Sequence, residues 1–351
     1  MNVRIFIISL ISGFILIACA ENTNKQNKIN NPNNYFIISG FAQGTYYKIT
    51  YHDEKRRNLQ HEIETILQQF ERSLSVYDST SIISRVNRNE DIEVDDYFIK
   101  LFNRATEISK QTNGAFDMSG EPLFLAWGFS RKNKIPMDAH KVDSLKQYVG
   151  MDKIRLNGRK VIKTNPNVVI NGNAIAKGYS TDVIADFLNK KGCTDYLVDI
   201  GGEMRLKGLS PRNREWVIGI DAPIDGNYES GDSIQVKLSV TNKGLATSGN
   251  YRRFYMDGNK KIAHTINPKT GYPTNHNLLS CTVIANDGLT ADAFVTAFMV
   301  VGLDSAKVWI NKFPELEACF IYDDDGFKTY CTPNMEKRII KVKKIDEQTL
   351  E

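Results

Sequence analysis

Asp292 and Thr296 stand four residues apart in the run ADAFVTA, residues 291–297, inside a pattern that reads as a helix beginning near Leu289. That spacing puts a carboxylate and a hydroxyl on one helix face. Together they could serve one hard cation, which prefers oxygen donors. Plainer readings compete: a helix N-terminal charge favoured by the dipole for Asp292, and a core-facing residue for Thr296. Lys177, within AKG at 176–178, could meet a phosphate or be a solvated helix lysine. His264 is one of five histidines and, taken alone, reads as a hydrogen-bonded strand residue. Tyr77, Phe116 and Ile266 could face a flat ligand or be ordinary core. The sequence holds no GxSxG, HExxH, Walker loop or GxGxxG opening a helix. Gly201-Gly202 follows a strand pattern with no helical pattern after it, which argues against a dinucleotide fingerprint.

These groups need elements to hold them. Residues 35–51 are rich in β-branched and aromatic side chains around Gly40 and Gly44 and predict a hairpin. Leu59, Ile63, Ile66, Leu67 and Phe70 keep helical spacing, as do Phe98, Leu101, Phe102, Ala105 and Ile108 in a helix closed by Gly114. A third helix is expected over about 174–191, with Tyr179, Val183, Phe187 and Leu188 on one face and Gly192 at its end. Strands are expected at 196–200, 215–221, 233–240 and 278–285. Helices and strands come in mixed order without regular alternation. That predicts an α+β fold: one domain with a mixed, mostly antiparallel sheet and flanking helices, with room for two lobes.

The chain has 351 residues, a net charge of +4, 41% hydrophobic and 25% charged residues. This composition excludes wholesale disorder, a fibrous repeat and a polytopic membrane protein. The charge is too small to argue for nucleic acid. The start of the chain departs from this average. Arg4 precedes an apolar run at 5–18 that is short for a bilayer span. Leu16-Ile17-Ala18-Cys19 closes that run and resembles a bacterial lipobox, in which Cys19 would be lipidated. An uncleaved anchor is the competing reading. Residues 20–34 hold seven Asn and almost no apolar side chains, as a flexible tether would. The expected division is a signal at 1–18, lipidated Cys and tether at 19–34, a folded domain at 35–335 and a charged tail at 336–351. No remaining cysteines form a CxxC pair. Cys319 and Cys331 flank a turn signal, Asp323 to Gly326, almost symmetrically. A bridge and two buried thiols both stay open, with the thiols preferred because register is not legible in sequence.

Short polar and glycine-rich segments recur along the folded part. They include FAQGTY at 41–46, SLSVY at 73–77, GAFD at 114–117, NGNAIAKG at 171–178 with Asp182, GGE at 201–203, ATSG at 246–249 with Tyr251, HTINPKTGYP at 264–273 and ADAFVTA. Each alone is a turn signal. In this order, after a lipobox, they resemble the ApbE family, the FAD:protein FMN transferases of bacterial envelopes, over roughly residues 39–330. The resemblance implies an α+β fold with FAD in a cleft and a divalent metal, usually Mg²⁺. It implies transfer of the FMN half of FAD to a Thr hydroxyl of a target protein, with release of AMP. Some members instead hydrolyse FAD to FMN and AMP, and a flavin-binding lipoprotein without turnover is a further alternative.

By the same resemblance, Asp292, Thr296 and the carbonyl of Ala174 are the metal ligands. His264 accepts the proton of the attacking hydroxyl, and Lys177 serves the phosphates. Gln43, Tyr77, Ala115, Phe116, Asp117, Asn171 and Ile266 match FAD-contacting positions. The implied partners are FAD, a membrane reached through the lipid anchor, and Thr-bearing subunits of membrane electron-transfer complexes. The implied location is the cell envelope, on the inner membrane facing the periplasm. Three positions depart from the family pattern: Gln43 replaces Met, and Asn171 and Asn267 each replace Asp. Asn keeps the shape of Asp, loses its charge and gains hydrogen-bond donors, which puts the metal and substrate contacts there in question.

Overall fold

The structure is a computed structural model. It describes residues 34–129, 135–224, 231, 233–251, 254–258 and 260–340. The signal, Cys19 and all of the tether but Asn34 lie outside these residues. In chain order the elements are β1 (Tyr35–Ala42), β2 (Thr45–His52), α1 (Gln60–Leu74), α2 (Ile82–Asn87), α3 (Asp96–Gln111), α4 (Glu121–Ala126) and α5 (Ala139–Lys146). Next come β3 (Ile154–Asn157), β4 (Lys160–Lys163), α6 (Ala176–Lys191), β5 (Tyr196–Ile200), β6 (Glu203–Lys207), β7 (Trp216–Asp221), β8 (Ile234–Val240) and β9 (Lys243–Gly249). The remainder are β10 (Phe254–Asp257), β11 (Lys260–Ala263), β12 (Leu278–Ala285), α7 (Gly288–Val301), α8 (Leu303–Ile310), β13 (Glu317–Asp323), β14 (Phe327–Cys331) and α9 (Pro333–Glu336).

Eight strands form one sheet in the order β1-β2-β5-β6-β9-β12-β13-β14. Every neighbouring pair in it is antiparallel. Side chains alternate between faces along a strand, and both faces are used. On one, Val283 and Phe320 join the core under α3 and α7, while Tyr47, Ile49 and Val198 pack with α1 and α6. On the other, Leu206, Leu245, Ile284 and Ile321 meet Trp216, Ile218 and Leu238 of the β7–β8 hairpin and Met335 of α9. This double covering explains why nearly every residue of β12 is buried, Ser280 and Thr282 included.

The expected hairpin, helices and strands are present, with ends moved by one or two residues. The third helix begins at Ala176, and it is covered on more than the expected face. Ala176, Gly178, Thr181, Asp182 and Ala185 are buried alongside Tyr179 and Leu188, while Val183 and Phe187 are only half-buried. The reason is α7, which crosses α6 so closely that α6 is enclosed between it and α1.

Two expectations need correction. The folded body runs past residue 335. Arg338 pairs with Glu317 at 2.5 and 2.9 Å, and Ile339 bridges to Leu238. The preference for free thiols is overturned: β13 and β14 set Cys319 directly opposite Cys331, and the two are joined in a disulfide. The described residues from Asn34 to Ile340 fall in one compact unit. Among the described residues no helix is long and apolar enough to cross a membrane.

Candidate active site

The site is built where α6 and α7 touch. A Cβ on Gly178 would lie 2.2 Å from the Gly288 carbonyl oxygen, and one on Gly288 would lie 2.6 Å from the Gly178 carbonyl oxygen. Only glycines allow this approach. Asp182 fastens it by accepting the Gly288 and Leu289 amides at 2.8 and 2.9 Å, which caps the start of α7. Asp287 adds a second cap by accepting the Thr290 amide at 2.7 Å. One turn into α7, whose only other polar side chains are Thr290 and Thr296, Asp292 is buried and accepts the Gly178 amide at 2.9 Å. Thr296 Oγ lies 3.2 Å from the Asp292 carbonyl oxygen and 3.5 Å from that of Ala174. Thr296 Oγ thus reaches the Ala174 carbonyl, and Asp292 lines the same cleft; a carboxylate, a hydroxyl and a carbonyl are the all-oxygen donors that suit a hard divalent cation.

The cleft has a volume of about 820 Å³. All twelve expected site residues of the folded part line it: Gln43, Tyr77, Ala115, Phe116, Asp117, Asn171, Ala174, Lys177, His264, Ile266, Asp292 and Thr296. Cys19, the expected lipidation site, lies outside the described residues. Phe116 and Ile266 are almost fully buried in apolar clusters while bordering the cleft. Tyr77 is 61% exposed, and its hydroxyl accepts from Asn173 Nδ2 at 3.2 Å. His264 follows β11 in a bend rather than within a strand, half-buried beside the Phe129 ring. Asp117 turns away from solvent to order its own loop, accepting from Ser119 N and Oγ at 2.8 and 2.5 Å and from Met151 N at 3.2 Å. Burial pushes its carboxyl up, against those hydrogen bonds.

Electrostatics at the floor are strained by proximity. Burial and the neighbouring Glu203 carboxylate push Asp292 up to about 7, opposed by Lys177 and the Gly178 amide. Burial alone would lower Lys177, but Glu203 and Asp292 hold its ammonium above the ordinary value. Lys177 Nζ donates to Glu203 Oε2 at 2.7 Å. A buried carboxylate with a raised pKa in a cleft is a marker of function, and extra positive charge would relieve it.

Three carboxylates of the cleft were not among the expected site residues, although Glu203 stands in the GGE segment at 201–203. Glu203 opens β6 after Gly201-Gly202, whose φ values of 65° and 99° make the tight β5–β6 turn. The glycine pair was thus a visible pointer to it. Glu121, 1% exposed in α4, accepts from Asn171 Nδ2 at 2.6 Å. Glu71 of α1 accepts the backbone amide of Gln43. Neither carried a signal, since the contacts span 50 and 28 residues.

The departures now have structural settings. Asn171 supplies a donor to a carboxylate that an Asp there would repel. Asn267 lies outside the cleft lining and closes its own turn, accepting the Lys269 and Thr270 amides at 2.9 and 3.3 Å. Gln43 has φ 53°, and its Nε2 is buried without a hydrogen-bond partner.

A cleft of this size, walled by aromatic rings and floored by buried carboxylates and a lysine, defines an enzyme acting on a large ligand with a polar part. Similar proteins narrow the class. The ApbE family pattern matches residues 43–320. A protein of Haemophilus influenzae named FAD:protein FMN transferase is 33% identical, over 93% of this chain and 97% of its own. The solved flavin transferase ApbE from Vibrio cholerae superposes with a TM-score of 0.76 at 31% identity, covering 87% of this chain and 99% of that one. The apo flavinyl transferase ApbE of Pseudomonas stutzeri gives 0.77 at 28% identity, covering 87% and 96%. The chain belongs to the ApbE family.

Proposed function

We propose that this protein transfers the FMN moiety of FAD to a Thr hydroxyl of an envelope protein and releases AMP, with Mg²⁺ or another divalent cation. The observation that carries this reading is that Thr296 Oγ reaches the Ala174 carbonyl at 3.5 Å in the cleft that Asp292 also lines. These three would hold the cation, with substrate oxygens completing its shell. When bound, it supplies polarisation of the pyrophosphate oxygens and relief of the charge on the departing AMP.

The chain's own side chains do the rest. Tyr77, Phe116 and Ile266 provide flat and apolar surface for the rings of FAD. Lys177, held by Glu203 at 2.7 Å, places a positive charge beside the phosphates. The Thr oxygen attacks the FMN-side phosphorus, and the bond from that phosphorus to the AMP-side oxygen breaks. His264 takes the hydroxyl proton. The product is a Thr–FMN phosphoester plus AMP, so no oxidant or further reactant is needed.

Residues 1–18 act as a secretory signal and Cys19 as the lipidated N-terminus, with 19–34 as tether. The lipid anchor would hold the enzyme in the cell envelope; the inner membrane facing the periplasm is the location we propose, with Thr-bearing subunits of electron-transfer complexes as its targets. The test is incubation with FAD and Mg²⁺, with and without a Thr-bearing acceptor domain, followed by intact mass. A mass gain of one FMN on the acceptor is expected, together with its loss in Asp292→Ala and in EDTA. Free FMN and AMP formed equally without acceptor would mark a pyrophosphatase. Intact FAD retained under both conditions would mark a flavin-binding protein.

A further inference from the structure

Among the described residues, several of the most exposed large apolar side chains gather at the cleft mouth. Tyr46 is 78% exposed, Phe41 65% and Tyr77 61%. Phe41 and Tyr77 line the cleft, and the Tyr46 ring meets Phe41 edge-on at 5.4 Å. Ile37, 44% exposed, continues the strip along β1. Register sets Phe41 opposite Tyr46, Ser39 opposite Lys48 and Ile37 opposite Thr50. Residues 37, 39 and 41 therefore share one face, which spans about 13 Å from Ile37 to Phe41. The layer under β7 and β8 that buries the rest of this sheet face reaches Tyr35 and Leu197 and includes none of Ile37, Phe41 and Tyr46.

β1 is also the outermost strand of the sheet. Its sequence, YFIISGFA, has no charge and no proline, so it lacks the devices that keep edge strands from pairing with other chains. An apolar strip of this kind marks an interaction surface. Transfer requires the acceptor's hydroxyl to enter the cleft, so the acceptor's surface must close over the mouth that these rings border.

We propose that the outer face of the β1–β2 hairpin, formed by Ile37, Phe41 and Tyr46, is the platform on which the acceptor protein docks. The inference rests on the transferase reading above. The fitting partner is an extended segment next to the acceptor threonine, with apolar side chains over Ile37 and the Phe41–Tyr46 pair. Between them it carries a polar or acidic side chain toward Ser39 and Lys48.

The test uses Ile37→Ser and Tyr46→Ser, singly and together. Neither residue lines the cleft. The probe is the purified soluble domain of a flavin-carrying electron-transfer subunit from the same organism, with its Thr→Ala form as blank. The double variant is expected to raise the acceptor KM about tenfold, in the range of a truncated interface anchor, with kcat at saturating acceptor and FAD affinity unchanged. Unchanged FAD affinity also certifies the fold. A photo-crosslinking side chain at position 46 should capture the acceptor domain in the presence of FAD. An unchanged KM together with no crosslink overturns the proposal. Loss of binding to anionic vesicles by the variants, with KM unchanged, also overturns it and assigns the strip to the membrane. If the wild-type protein yields no flavinylated acceptor, the transferase reading fails, and the docking surface with it.

Discussion

Gly178→Ala sets two effects of opposite sign against each other. Ala is favoured over Gly by about 1 kcal/mol in helix interiors, and Gly178 stands third in α6, so propensity predicts at most that much stabilisation. The added Cβ would stand 2.2 Å from the Gly288 carbonyl oxygen and 2.6 Å from Asp292 Cβ. These are about 1.3 and 0.9 Å short of the roughly 3.5 Å at which nonbonded atoms rest. The first obstacle is backbone, so no rotamer change relieves it, and α6 and α7 must part. Overpacking of this kind costs about 1–3 kcal/mol, and parting the helices stretches the 2.9 Å bond from the Gly178 amide to Asp292. We expect a net loss of about 2 kcal/mol, which lowers the urea midpoint by somewhat under 1 M at an m-value of about 3 kcal/mol/M. We also expect a weaker response to Mg²⁺, because Asp292 is displaced from Thr296 and Ala174. Urea denaturation with and without Mg²⁺ measures both. A variant as stable as wild type, with an unchanged Mg²⁺ response, would refute the close helix crossing as the device that builds the site.

Three other outcomes follow from the same contacts. Burial, first among the causes, pushes Asp182, Asp199 and Asp292 up to about 7, 6 and 7. The folded protein therefore keeps protons that the unfolded chain loses near pH 4. In EDTA, stability should fall as pH rises from about 4 to about 7, by up to about 1.4 kcal/mol per unit for each such group; urea midpoints rising from pH 5 to 8 would contradict this. Asn171→Asp puts a second carboxylate where Asn171 now donates to Glu121 at 2.6 Å. It should cost about 1–3 kcal/mol at neutral pH, and Glu121→Gln should restore the loss in a double-mutant cycle. Breaking the Cys319–Cys331 bridge, which spans a sequence separation of 12, with a paired Cys→Ser change should cost about 2–3 kcal/mol. Peptide mapping without reductant that found both thiols free in wild type would remove this expectation.

Much of the protein is legible along the chain because local rules write it there. The period of Leu59, Ile63, Leu67 and Phe70 specifies α1 without reference to anything distant. The i, i+4 spacing puts Asp292 and Thr296 on one face of α7 whatever α7 packs against. The ordered motif set carries the family, because it spans residues 39–330 rather than one turn. Tertiary structure decides what pairs with what. Cys319 faces Cys331 because the β13–β14 register falls as it does, and a slip of one residue would turn one of them to the other sheet face. Glu121 and Glu203 become part of the cleft through Asn171 and Lys177, partners 50 and 26 residues away. The two glycines that let α6 and α7 touch are 110 residues apart (178 to 288). Sequence periodicity fixes the direction in which a side chain leaves its own element. Only packing brings two elements within 3 Å of each other, and a cation site, a buried ion pair and a disulfide all require that distance.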